Sequence, residues 1–381
     1  MPNDLDIAIT GRGLVGSAGL DVVTACAAFR AGLNRASVLD HYSAGGEQLE
    51  RAPLRAHAAP FITHGFDGPA RLTQLLAAGL QDLQQRHPEL LRDPARTSLI
   101  LALADPGRQL RGAPAVVDET ARAELLELAE QYEVYPPAQV AAELATRVQS
   151  ALGLELPGRP SSVSAGHAST AHACLQAVER LRRNEIDRAI IASVDSLLDT
   201  ETLDWLQLLG RLRTEDRPAG VVPGEACAVL VLERGREVRQ RKTPVFAELH
   251  AVELADEPKN ILAGQASPGR VLAELIDNQH RKRGQDDAPW LIADHNGEQA
   301  RANEWGHCLF HLKPRAASYD QRREWFPATG FGDTGAASGG IGTCLALAAW
   351  ERGYAPSDQA LVCSSADGPE RAVMTLRAAR P

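Results

Sequence analysis

The sequence has no closely spaced cysteine pair; Cys26, Cys174, Cys227, Cys308, Cys344 and Cys363 are scattered over 381 residues. That spacing offers no disulfide framework and is that of reduced thiols in a cytoplasmic protein. There is no apolar run of the roughly 18 residues that a membrane span needs. The opening Met1-Pro2-Asn3-Asp4-Leu5-Asp6 lacks the basic stretch and apolar core of a secretory signal. Positive charge is short as well. A net charge of -9 gives no support to a sequence-independent nucleic-acid binder. It also disfavours a strongly acidic partner, unless a local basic patch serves, and Arg180–Arg183 and Arg281–Arg283 are candidates. Their simpler reading is as solvated helix ends. Short-period repeats and low-complexity tracts are absent. The expected location is the cytoplasm, with neither membrane nor nucleic acid as a partner.

What is present is an ordinary globular balance, 44% hydrophobic and 23% charged residues, in a chain long enough to bury a large core. Short β-branched apolar runs alternate with longer helical patterns, which predicts an α/β fold. Strands are expected at Ile7–Thr10, Ser98–Ala102, Ala189–Val194, Ala226–Glu233, Val245–Val252, Trp290–Ala293, Ala360–Ser364 and Ala372–Leu376. After Ser169, the residues Ala171, Cys174, Leu175, Val178 and Leu181 repeat at the offsets of one buried helix face. Further helices are expected near Arg122–Gln131, Pro137–Leu152, Arg270–Asn278 and Gly339–Arg352. Arg211–Pro223 and Leu254–Gly269 read as surface loops. A soft boundary at 235–242 divides the chain into halves 1–240 and 241–381.

Three local motifs suggest chemistry, and each has a plainer reading. Gly11-Arg12-Gly13-Leu14-Val15-Gly16 is formally a dinucleotide-binding G-x-G-x-x-G. However, Ser17-Ala18-Gly19 prolongs the loop where a helix should open, and the N-cap comes only at Asp21. His307-Cys308-x-x-His311 has metal-ligand spacing but no further ligand at a recognisable distance, and Glu304 or His295 would have to be recruited arbitrarily. Ser164 and Ser169 near His172 form no recognisable triad. No cofactor and no metal is expected.

A set of segments in order carries more. Ile7–Val15, the Ala31-Gly32 helix ending, and Arg213-Thr214-Glu215-Asp216-Arg217-Pro218 through Pro223-Gly224-Glu225-Ala226 to Glu233 resemble successive segments of β-ketoacyl synthases. So do the helix from His167 to Arg183, the strand after Ile186, and the turn Gly335-Ala336-Ala337-Ser338-Gly339-Gly340. The matches run from about residue 6 to 376. This resemblance implies the thiolase fold: two similar α/β halves layered α-β-α-β-α and paired as a dimer through a core strand.

It also implies where the chemistry belongs. Working members attack an acyl thioester with a cysteine at a helix tip, whose thiol pKa the helix N-terminus lowers. Two histidines, or a histidine and an asparagine, then stabilise the enolate. In Ser162-Val163-Ser164-Ala165-Gly166-His167 the nucleophile position holds His167, whose acyl-imidazole would hydrolyse easily. Cys174 lies about 10 Å further along the helix and is expected in the core. Asp294-His295-Asn296 resembles the motif of the first histidine. The second histidine and the family lysine are missing from Ala328–Thr334, where Asp333 would repel an enolate. Ser365-Ala366-Asp367-Gly368-Pro369-Glu370 replaces the glycine-rich acyl-pocket loop. The expectation is a pseudoenzyme with His167, His295 and Asp333 marking a degenerate pocket. It would act as a binding partner in a homodimer or a heterodimer with a thiolase-fold protein, or as an adaptor or chaperone. An acyl carrier protein or an effector of bacterial type VI secretion are its candidate partners. The alternative is a non-condensing thioester enzyme, a malonyl-thioester decarboxylase or acyl transferase, using His167 and His295.

Overall fold

The computed structural model describes residues 6–45, 51–90, 96–104, 119–131, 136–153, 160–282 and 287–379. Arg283, part of one candidate basic run, lies outside them. Among the described residues twelve strands form: β1 Ile7–Gly16, β2 Ser37–Gly45, β3 Arg51–Ala56, β4 Thr97–Leu103, β5 Ser161–Ser164, β6 Arg188–Ser196, β7 Glu225–Arg234, β8 Ala247–Asp256, β9 Trp290–Ala293, β10 Arg323–Trp325, β11 Gln359–Ser365 and β12 Glu370–Ala378. Ten of them make one sheet in the order β10-β9-β11-β12-β8-β1-β7-β6-β4-β5, and β2 and β3 pair separately. Read from each end inward, the order is the same: β5-β4-β6-β7-β1 and β10-β9-β11-β12-β8. The directions repeat too. β4 is parallel to β5 and β6, as β9 is to β10 and β11, and the remaining pairs are antiparallel.

Alternation along the strands builds the layers. Ala189 and Ile191 of β6 face a central core, while Ile190, Ala192 and Val194 face an outer one with Leu75, Leu80, Leu144 and Val148. In the other half, Ala360 and Val362 of β11 face the central core, whereas Leu361 and Cys363 face Leu272, Ile276 and Cys308. Helices Gly68–Arg86 and Pro137–Leu152 therefore cover one side, and Arg270–Arg281 and Gln299–Leu312 the other. Helices Ser169–Arg182 and Ser338–Glu351 fill the middle. This is the expected α-β-α-β-α stack. The second central helix is buried from Ser338 to Ala349, as a helix enclosed between the two halves of a sheet must be. Its small residues permit this: a Cβ on Gly340 would sit 2.7 Å from that of Ala228.

Several expectations need correction. Gly11–Gly16 is no turn but the second half of a fully buried strand. A Cβ on Gly13 would meet the Gly79 carbonyl at 2.5 Å, so this glycine lets helix Gly68–Arg86 lie against β1 and holds no pyrophosphate. That helix was not among the expected elements, nor were β2, β3, β5 and β10. The segment Arg211–Pro223 is exposed only in its middle, and Arg211, Leu212 and Val221 are buried. Strand β8 runs on to Asp256, which shortens the following loop. Asp21 does cap its helix, accepting from the amides of Val23 and Thr24 at 2.9 and 3.1 Å. Among the described residues no helix is long and apolar enough to cross a membrane.

Gly13→Ala should destabilise the protein by about 1–3 kcal/mol through overpacking. Gly306→Ala, on an exposed helical position with nothing within 4 Å of the new methyl, should stabilise it by about 0.5–1 kcal/mol. Denaturant unfolding of the two variants checks both signs.

Candidate functional site

The two central helices begin alike. Strand β5 leads through Ala165 into the tight turn Gly166–Ala168, and β10 leads, by way of Asp333 and Thr334, into Gly335–Ala337. Gly166 and Gly335 both take left-handed backbone, φ 54° and 49°, which favours glycine. A side chain on Gly335 would also strike the Asp195 carboxylate. The Ser169 hydroxyl locks the first turn, donating to the Leu103 carbonyl at 2.9 Å and accepting from the Ala165 amide at 2.8 Å. His167 is thereby held at the helix tip, buried, opposite the residues that precede the second turn.

The structure brings His167 and Asp333 together, with Nε2 2.7 Å from Oδ1. Nδ1 lies 3.0 Å from Nη2 of Arg301. A guanidinium can only donate, so Nδ1 accepts and the ring proton sits on Nε2, donated to Asp333. Asp333 accepts in addition from the Gly335 amide at 2.9 Å and from Asn296 Nδ2 at 2.6 Å. Burial alone would raise the Asp333 pKa, but His167, Arg301 and the Gly335 amide hold it far below the ordinary carboxylate value. For His167, burial and Arg301 oppose the charged ring, and the carboxylates of Asp333 and Asp294 outweigh them, raising its pKa. A second proton on Nδ1 therefore requires Arg301 to turn away.

Arg301 is the hub. It reaches the Ser365 carbonyl, Asp367 Oδ1 at 2.8 Å and Asp294 Oδ2 at 3.6 Å. Asp367 is gripped from its other side by Arg211 at 2.8 and 3.1 Å, and Arg211 makes a bidentate pair with Glu298 at 2.6 and 2.9 Å. Both guanidinium pKa values are raised against burial, Asp367 is lowered by its arginines, and burial leaves Asp294 raised. Beside this lattice lies a small cavity of about 60 Å³, bordered by His167, Asp195, Trp205, Arg211, Leu262 and Asp367. That space admits a few water molecules.

The remaining candidates have other contacts. His295 stacks edge-on against Phe326 at 5.4 Å, and burial lowers its pKa. Its neighbour Asn296 is the one that reaches Asp333. Cys174 is buried in the central core with its thiol pushed up to about 12. His307 Nδ1 donates to the Ser267 carbonyl at 3.1 Å. Among the described residues no group of three or more metal-binding side chains forms. Sequence reasoning missed Arg301 and Arg211 as site residues. The available signal was Asp333 itself, since a buried carboxylate demands a cation, though not which one.

Arg301→Met would leave Asp294 without its guanidinium and Asp367 with Arg211 alone, and should cost about 3–5 kcal/mol. Because the folded Asp333 pKa lies below its unfolded value of 3.8, its stabilisation is complete above that value and lost as pH falls through the folded one. The stability gap between wild type and Asp333→Asn should accordingly shrink in acid. His167 has the opposite sign: its raised pKa stabilises below 6.5 and the gain fades as pH rises through the folded value. Urea titrations from neutral pH to as far below 3.8 as the protein stays folded read the Asp333 difference, and titrations above 6.5 read that of His167.

A model of the β-ketoacyl synthase N-terminal domain matches residues 113–237. No curated protein matches the chain. Among solved structures, the ketosynthase of module 6 of the bacillaene synthase from Bacillus subtilis 168 is 14% identical, with a TM-score of 0.74 over 98% of this chain and 72% of its own. The type II PKS ketosynthase bound to a hexaketide, in complex with its acyl-carrier protein, is 17% identical, TM-score 0.72, over the whole of both chains. The ishigamide ketosynthase/chain length factor is 20% identical, TM-score 0.67, over 98% and 99%. The repeated strand order, the paired glycine turns and these likenesses give the chain the thiolase fold that ketosynthases share.

Proposed function

We propose that the chain is a catalytically inactive β-ketoacyl synthase-like protein that serves as a binding partner, in the manner of the non-condensing subunit of a synthase pair. One observation carries this: both nitrogens of His167 are engaged within the protein, one by Asp333 and one by Arg301. In the neutral ring no lone pair is left for a thioester carbon, and in the doubly protonated ring there is none at all. The small cavity beside it supports the same reading. A decarboxylase or acyl transferase would need a histidine free to act on the substrate, and His167 is tied by Asp333 and Arg301.

The partner is a second thiolase-fold chain. Strand β5 ends the ten-stranded sheet, and its outer edge is unpaired among the described residues, a ready site for continuing the sheet into another molecule. Ketosynthase/chain length factor assemblies are among the structures of the same fold. The division into 1–240 and 241–381 belongs to this reading, supported by the strand order that repeats on either side of it. So does a cytoplasmic location, supported by six buried free cysteines.

Incubated with acyl and malonyl thioesters of CoA and of acyl carrier protein, the protein should show no mass increase and release no carbon dioxide above background. His167→Cys should remain without condensing activity, because Asp333 and Arg301 still fill the site. An adduct on wild type that disappears in His167→Ala would overturn the proposal.

A further inference from the structure

Helix Ser169–Arg182 has His167 at its entrance and Arg180, Arg182 and Arg183 at its far end, about 20 Å away at 1.5 Å per residue. A second short helix, Gly235–Arg241, meets it there. Arg234, which precedes that helix, donates to the carbonyls of Leu181 and Ile186 at 2.7 and 2.9 Å. It brings Arg236, Arg239, Arg241 and Lys242 to the same end of the molecule. Arg96 joins them through the Asn184 carbonyl.

Three carboxylates in this region each meet two arginines, Asp6 and Glu237 meet one each, and Glu179 is exposed on helix Ser169–Arg182. Asp187 takes Arg96 at 3.1 Å and Arg234 at 2.5 Å, and Glu233 takes Arg188 at 3.1 Å and Arg241 at 2.8 Å. Glu185 sits 3.7 Å from Arg180 and 3.9 Å from Arg183, and Asp6 takes Arg239 at 2.9 Å. Arg182, Arg236 and Lys242 are exposed and have no carboxylate partner among the described residues. Cations at one helix C-terminus satisfy that helix's dipole. That alone does not gather two helix ends and Arg96 into one surface on a chain whose net charge is -9.

We propose that this end of the molecule docks an acidic protein segment, a helix or loop presenting several carboxylates. Guanidinium groups pair with carboxylates bidentately, and a local positive field steers such a segment despite the overall negative charge. A nucleic acid fits less well, because a long polyanion that overruns the patch meets the negative remainder of the surface. The patch lies at the opposite end of the helix from the cavity, so a partner bound here leaves His167 untouched. The inference is independent of whether the chain is catalytic.

Binding of poly-L-glutamate to the full chain, compared with a single-stranded DNA oligonucleotide of similar charge, tests this at low salt and at about 0.3 M, where the Debye length falls below roughly 8 Å. Poly-L-glutamate should bind and weaken with salt. The triple variant Arg182→Glu, Arg236→Glu, Lys242→Glu should lose roughly tenfold or more in affinity, as reversed charges at a rim do. A second triple variant, Arg213→Glu, Arg270→Glu, Lys313→Glu, changes the net charge equally at exposed positions elsewhere and should bind like wild type. Equal loss in both variants, no binding by wild type, or tighter binding of the oligonucleotide through the patch would each overturn the proposal.

Discussion

Buried charge must be compensated, and at the centre of this molecule that requirement falls on Arg301. A guanidinium closed off from water is tolerable only if anions and acceptors surround it. Here Asp367, Asp294, the Ser365 carbonyl and the Nδ1 of His167 do so. Each of these is constrained in turn. Asp367 is shared with Arg211, which is fixed by Glu298, and His167 is turned so that its other nitrogen meets Asp333. The lattice joins segments from before and after β7 and β8, His167 and Arg211 on one side and Glu298, Arg301, Asp333 and Asp367 on the other.

The fold makes this convergence possible by repetition. The same strand order on both sides of the sheet delivers two central helices with glycine turns at their starts, so His167 in the first turn meets Asp333, which precedes the second. The geometry joins an imidazole to a carboxylate, and the helix tip becomes a structural joint. The contacts that satisfy the buried charges also engage both nitrogens of the ring.

Much of the scaffold was legible in the sequence. The buried strands around Ala189–Val194, Trp290–Ala293 and Ala360–Ser364 are short apolar runs whose periodicity admits little else, and Asp21 announces its helix start by its capping chemistry. Helix Gly68–Arg86 went unanticipated. Glycine strands such as Gly11–Gly16 misled for a related reason. Their glycines answer to a helix crossing them from a distant part of the chain, which no local pattern records.

The identity of the residue at the helix tip, the absence of the second histidine and lysine, and the replacement of the pocket loop are facts of sequence alone. From them came the expectation of a pocket without the ordinary condensing groups. Only the tertiary structure decided what took their place. Arg301 and Arg211 lie far from His167 along the chain, and nothing in local spacing links them, since charge pairing depends on distance in space. His295 and Asn296 are adjacent in sequence, yet successive residues point in different directions as the chain leaves β9. One packs on Phe326 and the other binds Asp333, a choice made by the backbone's path through the fold.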